Sequence, residues 1–351
     1  MENNSYEYIN DEYKSQIDEI PNIMKDTLNE FIQNEKIHFH NLKLKKRKLK
    51  KIKTIIITGS NNEYHTSKAI ASNIELLTGK NTFVLDSFEM INTRAVLDNT
   101  VLVVIVSPNS NNQQAVAIAK RVKESDAMLI AISNTETGEL DEYCKNKISI
   151  ELDNSVSDFC KEYLLLALLG LHLGYKMKYI PKLTVSVTLK LCQMLPGNSI
   201  LSGRNKFELK KAADIISKYE SILFCGYSAD EGIADELAHS LRKINKTPAF
   251  SMSLCQIDSS LYALKNTLVV IIISSGADID IINYHLNHLR QNGIDTLIFT
   301  TESISNDLCI KDSIVTVTDS IPLFNPATLT TSVLQTAILN NEIQENADLS
   351  A

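Results

Sequence analysis

At 351 residues with 44% apolar side chains, the chain is long enough for two domains, each with its own core. Net charge is −7, from 42 acids against 35 bases, so nothing global points to nucleic acid as a partner. The six cysteines (Cys144, Cys160, Cys192, Cys225, Cys255, Cys309) are scattered, with no Cys-X-X-Cys pair and no secretory leader, and read as reduced core residues of a cytoplasmic protein. The longest apolar run, Leu164 to Leu171, is far short of the roughly 20 residues a membrane span needs.

In chain order, residues 1–53 form a helical lead-in of two patterns, with Pro21 as a first-turn residue and Ile20, Ile23, Leu28 and Phe31 on one face. Next come a strand at 54–58, a helix at 62–77, a strand at 82–86, a helix at 88–97, a strand at 101–106, a helix at 112–125, strands at 128–132 and 148–151, and a long helix at 156–175. Strands that are apolar throughout and alternate with helices imply a parallel sheet covered on both faces. This first α/β domain spans 54–185. Connecting helices fill 186–220, broken at Pro196-Gly197-Asn198, with a further helix at 205–219. A second α/β domain runs over 221–340, and the tail at 341–351 is polar, aperiodic and expected to be loose or to wrap a partner subunit.

The second domain repeats the first. The strand ending at Gly59 has its counterpart ending at Gly226, and the strand ending at Ser107 has one ending at Ser274. The two glycine-to-serine spacings are equal, 48 residues each (107 − 59 and 274 − 226). Two further strands, Met128–Ser133 and Ile148–Leu152, match Thr296–Thr301 and Ser313–Val317. Matching offsets over four strands mark a tandem duplication.

In such a sheet ligands bind beyond the carboxyl ends of the strands, where helix starts present backbone amides to an anion. Two uncharged loops of the first domain lie there: Gly59-Ser60-Asn61-Asn62, and Ser107-Pro108-Asn109-Ser110-Asn111-Asn112. Gly59, Ser60, Asn61, Ser107, Asn109, Ser110 and Asn112 are the candidate phosphate-binding residues, with plain N-capping as the competing role for the Ser and Asn side chains. The matching loops of the second domain carry Asp230, Glu231 and Asp278, so an anion is expected in the first domain.

The strand order, the Gly59-Ser60 turn, the Ser107 loop and the duplication resemble the double sugar-isomerase (SIS) proteins, a group that includes the isomerase domain of glucosamine-6-phosphate synthase and the fructosamine-6-phosphate deglycases. Ile20-Pro21, Lys161-Glu162-Tyr163 and Leu171-His172 add to the likeness, which covers about Tyr8 to Asn340. The resemblance implies two tandem SIS domains, each a parallel five-stranded sheet flanked by helices on both faces in a flavodoxin-like, three-layer α/β arrangement. It also implies a sugar phosphate ligand, a homodimer and no cofactor.

The family's catalytic pattern is altered here. Of its Ser-X-Ser-Gly-X-Thr phosphate loop only Ser107 is kept. Aligning from Gly226 puts Lys243, beside Arg242, where the family has its glutamate base, and the Glu and His of Glu-X-X-His-Gly-Pro fall at about Cys255 and at Asp258 or Ser259. The synthase's C-terminal lysine and its glutaminase half have no counterpart, so an amidotransferase is not expected. Isomerisation needs a base to move a proton between adjacent carbons, and Lys243 and Asp258 are the candidates to replace it, with Lys161 a further option. These observations imply a phosphosugar-binding protein with an eroded isomerase or deglycase motif, acting as a sensor or weak enzyme on an amino-sugar or fructosamine phosphate. The alternative is an active isomerase or deglycase with a relocated base.

Other motifs lead elsewhere. His285 and His288, three apart beside Asp278 and Asp280, read as a surface helix face, and no metal site is expected. His65 follows the first glycine turn within reach of a ligand, and His172 reads as core. The run Lys43–Lys53 holds eight cations in eleven residues around Leu44, Leu49 and Ile52. It reads as a solvated helix end with inward leucines, or as a dock for RNA, acidic lipid or an acidic protein.

Overall fold

A computed structural model describes residues 2–93, 96–152, 156–194, 203–244, 248–264, 266–275, 278–310, 314–317 and 322–350. The expected break at Pro196-Gly197-Asn198 lies outside these residues, as do Ser313, Gly276 and Ala277. Two compact units emerge, one of Met24–Gln193 and one of Met1–Ile23 with Met194–Ala351.

The lead-in differs from expectation. Helix α1 (Glu2–Phe31) runs through Pro21 as one element, so Pro21 is an interior residue and not the start of a second helix. Burial on both sides of the proline, at Ile17 and Ile20 and again at Leu28 and Phe31, opposes the cost of the lost backbone bond. A short hairpin follows, β1 (Ile32–Gln33) and β2 (Lys36–Ile37), then the single turn α2 (Lys46–Leu49).

The first sheet comprises β3 (Thr54–Gly59), α3 (Asn62–Thr78), β4 (Asn81–Asp86), α4 (Ser87–Asn92), β5 (Val101–Ser107), α5 (Gln113–Lys123), β6 (Met128–Ser133), α6 (Leu140–Tyr143), β7 (Lys147–Ser149) and α7 (Asp158–Lys176). All its strands are parallel, in the order β4-β3-β5-β6-β7. Helix α4 stops at Asn92, short of the expected 97, and its start is fixed by a capping box between Asp86 and Glu89. Side chains alternate across each strand. Ile56, Val103, Ile105, Leu129 and Ala131 pack with α4, α5 and α6, whereas α3 and α7 pack together. Leu164–Leu169 and Leu171 of α7 are fully buried, which explains a helix that is apolar on all sides.

Helices α8 (Lys182–Met194) and α9 (Gly203–Ile216) precede the second sheet. It is built from β8 (Ser221–Gly226), α10 (Asp230–Ile244), β9 (Ala249–Ser253), 3-10 turns at Leu254–Ser259 and Leu261–Ala263, β10 (Thr267–Ile273), α11 (Ile279–Gln291), β11 (Thr296–Thr301), α12 (Glu302–Ser305) and β12 (Ile314–Val317). The order β9-β8-β10-β11-β12 repeats that of the first sheet, again all parallel. Helix α13 (Asn325–Ser350) closes this unit and continues as helix through the stretch expected to be a loose tail. Its middle is buried although rich in hydroxyls: Thr330, Thr331, Ser332 and Thr336 are 0% exposed. Each bonds the carbonyl four residues back, at 2.8, 2.8, 3.0 and 2.9 Å, so no hydroxyl is buried without a partner among these four.

Candidate functional site

Strand order in the first sheet reverses between β3 and β5, and the crevice beyond their carboxyl ends is where this topology places a ligand. β3 ends in Gly59 because α3 starts so close behind it: a Cβ there would lie 2.5 Å from Glu63 Cβ. Asn61 completes the turn at φ 51°, a left-handed value that Asn tolerates. β5 ends in the buried Ser107, and its loop folds back on itself. Ser107 Oγ donates to Asn109 O at 3.1 Å, Asn111 N donates to Asn109 Oδ1 at 2.8 Å, and Asn112 N donates to Asn109 O at 3.0 Å.

Between these loops lies a cleft of about 170 Å³ lined by Ser60, Asn61, Ser107, Asn109 and Asn112, together with Glu63 and Ser87. Five of the seven candidate residues thus meet in one place, and Gly59 supplies the turn. The capping role is also present, since Asn112 Oδ1 accepts from Gln114 N at 3.0 Å and Ala115 N at 3.1 Å. Ser60 Oγ donates to Gln114 Oε1 at 2.8 Å and ties the two loops together. Ser110 departs from the set. It is 3% exposed, with Oγ 3.0 Å from Ser133 Oγ, 3.1 Å from Glu136 O and 3.0 Å from Lys147 Nζ, and it faces a separate hollow of about 190 Å³ with Asn134, Glu136 and Thr137. Inspecting the loops alone misses Glu63, because the acid arrives from the first turn of α3.

The same edge of the second sheet is built alike and filled differently. Gly226 again admits a helix start, its Cβ position only 2.2 Å from Asp230 C and O, and Ser228 repeats the left-handed turn residue at φ 56°. Asp230 stands four residues after its glycine, as Glu63 does after Gly59. Its carboxylate accepts Ser274 N at 2.9 Å and also the Ser274 hydroxyl, while Ser274 O accepts from Asn325 Nδ2 at 3.2 Å. Burial pushes the Asp230 carboxyl up to about 7 against the lowering effect of the Ser274 bonds. A carboxylate of the protein itself occupies the donors of this strand end.

The two catalytic candidates lie apart from that edge pair. Lys243 is exposed in the last turn of α10, beside Arg242, whose Nη1 reaches Ala249 O at the start of β9. It sits at the amino edge of the second sheet, opposite Gly226 and Ser274, because a helix that starts at one edge ends at the other. Asp258 bonds His288 Nδ1 at 2.7 Å and lies 3.5 Å from His285 Nδ1. The two histidines are therefore not a plain surface face: His285 is 6% exposed. No group of three or more His, Cys, Asp or Glu able to hold a metal occurs among the described residues.

The remaining candidates have structural roles. Lys161 is bonded to Asp158 Oδ1 at 3.1 Å and to Glu151 O at 3.2 Å. His172 packs edge-on against Phe39, and burial pulls its pKa down to about 4. His65 is half-buried beside Tyr64. Cys144, Cys160, Cys192 and Cys225 are buried, but Cys255 and Cys309 are exposed, contrary to the reading of all six as core. In the basic run Leu49 and Ile52 are buried and all eight cations are exposed. Lys43 N donates to Asn146 Oδ1 and Lys53 N to Thr100 O, which places the run along the amino edge of the first sheet, away from the cleft.

The family model of the SIS domain matches residues 48–171. No curated protein matches the sequence. Among solved structures, the C-terminal domain of glucosamine-fructose-6-phosphate aminotransferase from Francisella tularensis superposes with a TM-score of 0.82 at 16% identity, over 94% of this chain and 95% of that one. Tagatose-6-phosphate ketose/aldose isomerase from Escherichia coli gives 0.65 at 16%, over 94% and 92%. Glucosamine-6-phosphate deaminase from Thermotoga maritima gives 0.65 at 16%, over 93% and 94%. No helix among the described residues is long and apolar enough to cross a membrane. Residues 48–171, which hold the first sheet, match the SIS domain, and the second α/β unit repeats the strand order of the first.

Proposed function

We propose that this protein binds a sugar phosphate in the cleft of its first unit, with the amino-sugar and fructosamine phosphates as the leading class. It acts as a sensor or weak enzyme. The observation that carries this reading is the convergence of Ser60, Asn61, Ser107, Asn109 and Asn112 on one crevice at the strand-order reversal. The solved relatives whose names specify sugar phosphates support the class. Binding to such a crevice places the phosphate among hydroxyl, amide and backbone N–H donors, and the Glu63 carboxylate then faces the positive or hydroxyl part of the ligand. The reading of eroded chemistry is supported by the loss of the resembled family's glutamate and histidine, whose places are taken by Lys243, Cys255 and Asp258 or Ser259. Thermal shift against hexose and hexosamine phosphates at millimolar concentration tests the proposal. Stabilisation by one or more is expected, and none by any would end it.

A second reading has one specific observation in its favour. Asp258 holds His288 by Nδ1, the arrangement that orients an imidazole as a general acid or base. In an active isomerase or deglycase, His288→Gln and Asp258→Asn would each lower ketose–aldose interconversion or amine release at least tenfold. Undiminished turnover in both would exclude that pair. In either reading the protein works as a cytoplasmic homodimer; light scattering on the purified chain tests the dimer, with twice the chain mass expected and a monomer mass overturning it.

A further inference from the structure

A buried ammonium lies behind the Ser107–Asn112 loop, on the side away from the cleft. Lys147 opens the edge strand β7, and its side chain is 8% exposed. Its Nζ contacts three groups: Ser110 Oγ at 3.0 Å, Glu136 O at 2.9 Å and the Asp141 carboxylate at 3.1 Å (Oδ1) and 3.2 Å (Oδ2). Those acceptors match the three protons of an ammonium group. Asp141 is the one charged partner among them, and it is the more exposed member of the pair at 29%. The ion pair is therefore a dipole whose positive end is buried under the loop and whose negative end meets solvent.

We propose that Lys147 is a positioning residue for the ligand cleft: it pins Ser110 from behind and sets a positive charge beneath the loop that receives the ligand's phosphate. The proposal rests on the phosphosugar reading above. Ser110 lies in sequence between Asn109 and Asn112, both of which line the cleft. An anion there is within about 10 Å of the ammonium, since the link is one hydrogen bond and one or two residues of chain. With its side chain only 8% exposed, the ammonium is less screened than a surface lysine. The loop itself has no cation. Lys147 supplies from β7 the charge that a phosphate needs and that Ser, Asn and Pro cannot provide. The second unit takes the opposite course, with the carboxyl group of Asp230 set against Ser274.

A lysine that only stapled the loop would make the same contacts, so charge and geometry must be separated. Calorimetric titration of the full chain with inorganic phosphate and with glucosamine 6-phosphate does this in four proteins. Lys147→Gln keeps a polar contact to Ser110 and removes the charge, and both probes are expected to bind about 5- to 20-fold more weakly. Lys147→Arg is expected to stay within about threefold of the unsubstituted protein. Asp141→Asn keeps an acceptor for Gly138 N, which it now bonds at 2.8 Å, but frees the ammonium of its counter-charge. It is expected to tighten both probes about threefold, whereas a staple would loosen. Should Lys147→Gln fail to fold, the Asp141→Asn and Lys147→Arg results decide alone. Weakening or no change in Asp141→Asn overturns the role of Lys147 and leaves the phosphate reading standing. Absence of binding by the unsubstituted protein overturns the phosphate reading, and this proposal with it.

Discussion

The carboxyl edges of the two sheets share strand order, a glycine that admits the following helix, a left-handed residue two positions on and a serine closing the neighbouring strand, yet they end in different chemistry. In the first, Ser107 turns its hydroxyl onto its own loop and a cleft stays open beside it. In the second, Asp230 reaches across and binds Ser274 through both backbone and hydroxyl. Duplication preserves what the backbone requires. It leaves free what the ligand requires: the acid four residues after the glycine lines an open cleft as Glu63 in the first edge, and as Asp230 it binds the neighbouring Ser274 in the second.

The largest effect expected from breaking this contrast lies in the pH dependence of stability. The folded protein raises the Asp230 carboxyl from an ordinary 3.8 to about 7, so folding favours the protonated form. Stability from this group is fully present below about pH 4 and is lost as pH rises through 7, a swing of up to about 4 kcal/mol. Asp230→Asn should remove that slope from urea midpoints measured between pH 4 and 8, and a variant with the slope intact would show that Asp230 is not its source. Somewhat smaller is the cost of a methyl group at the turn. Gly226→Ala should destabilise by about 3 kcal/mol, because its Cβ would meet backbone atoms of Asp230 at 2.2 Å. Gly59→Ala should cost less, because its nearest contact, Glu63 Cβ at 2.5 Å, belongs to a side chain. Equal effects would mean that the two turns are more alike in tightness than their geometry states.

Much of this contrast is legible in the sequence, for reasons that differ by residue. The β-rich strands, the equal glycine-to-serine spacing and the acids at 230, 231 and 278 are local patterns, and the structure keeps them. What escapes is long-range. Ser110 has the composition of a ligand loop but is claimed by Lys147 and Ser133, residues 37 and 23 positions away. Lys243 aligns with a catalytic position by counting, yet counting along a helix does not reveal that the helix has by then crossed to the other edge of the sheet. Pro21 suggested a helix start because its local preference is strong, and burial on both sides overrode it.

Smaller effects sharpen the comparison further. Asn112→Ala removes the cap of α5 and should cost about 1 kcal/mol while weakening ligand binding, which thermal melts with and without a sugar phosphate would separate. Thr331→Val deletes a back-bonded hydroxyl in α13, 0% exposed, and should change stability by less than about 1 kcal/mol, since the donor is lost while the side-chain shape is kept and little cavity forms. A cost above about 2 kcal/mol in chemical denaturation would mean that this hydroxyl serves more than its own carbonyl.

The central claim is that the first edge receives the anion and the second does not. Parallel titrations of Ser107→Ala and Ser274→Ala with the sugar phosphate that best stabilises the unsubstituted protein test it most directly. Ser107→Ala should lose at least tenfold in affinity and Ser274→Ala should bind as the unsubstituted protein does. Retained affinity in Ser107→Ala together with a tenfold loss in Ser274→Ala would contradict the account.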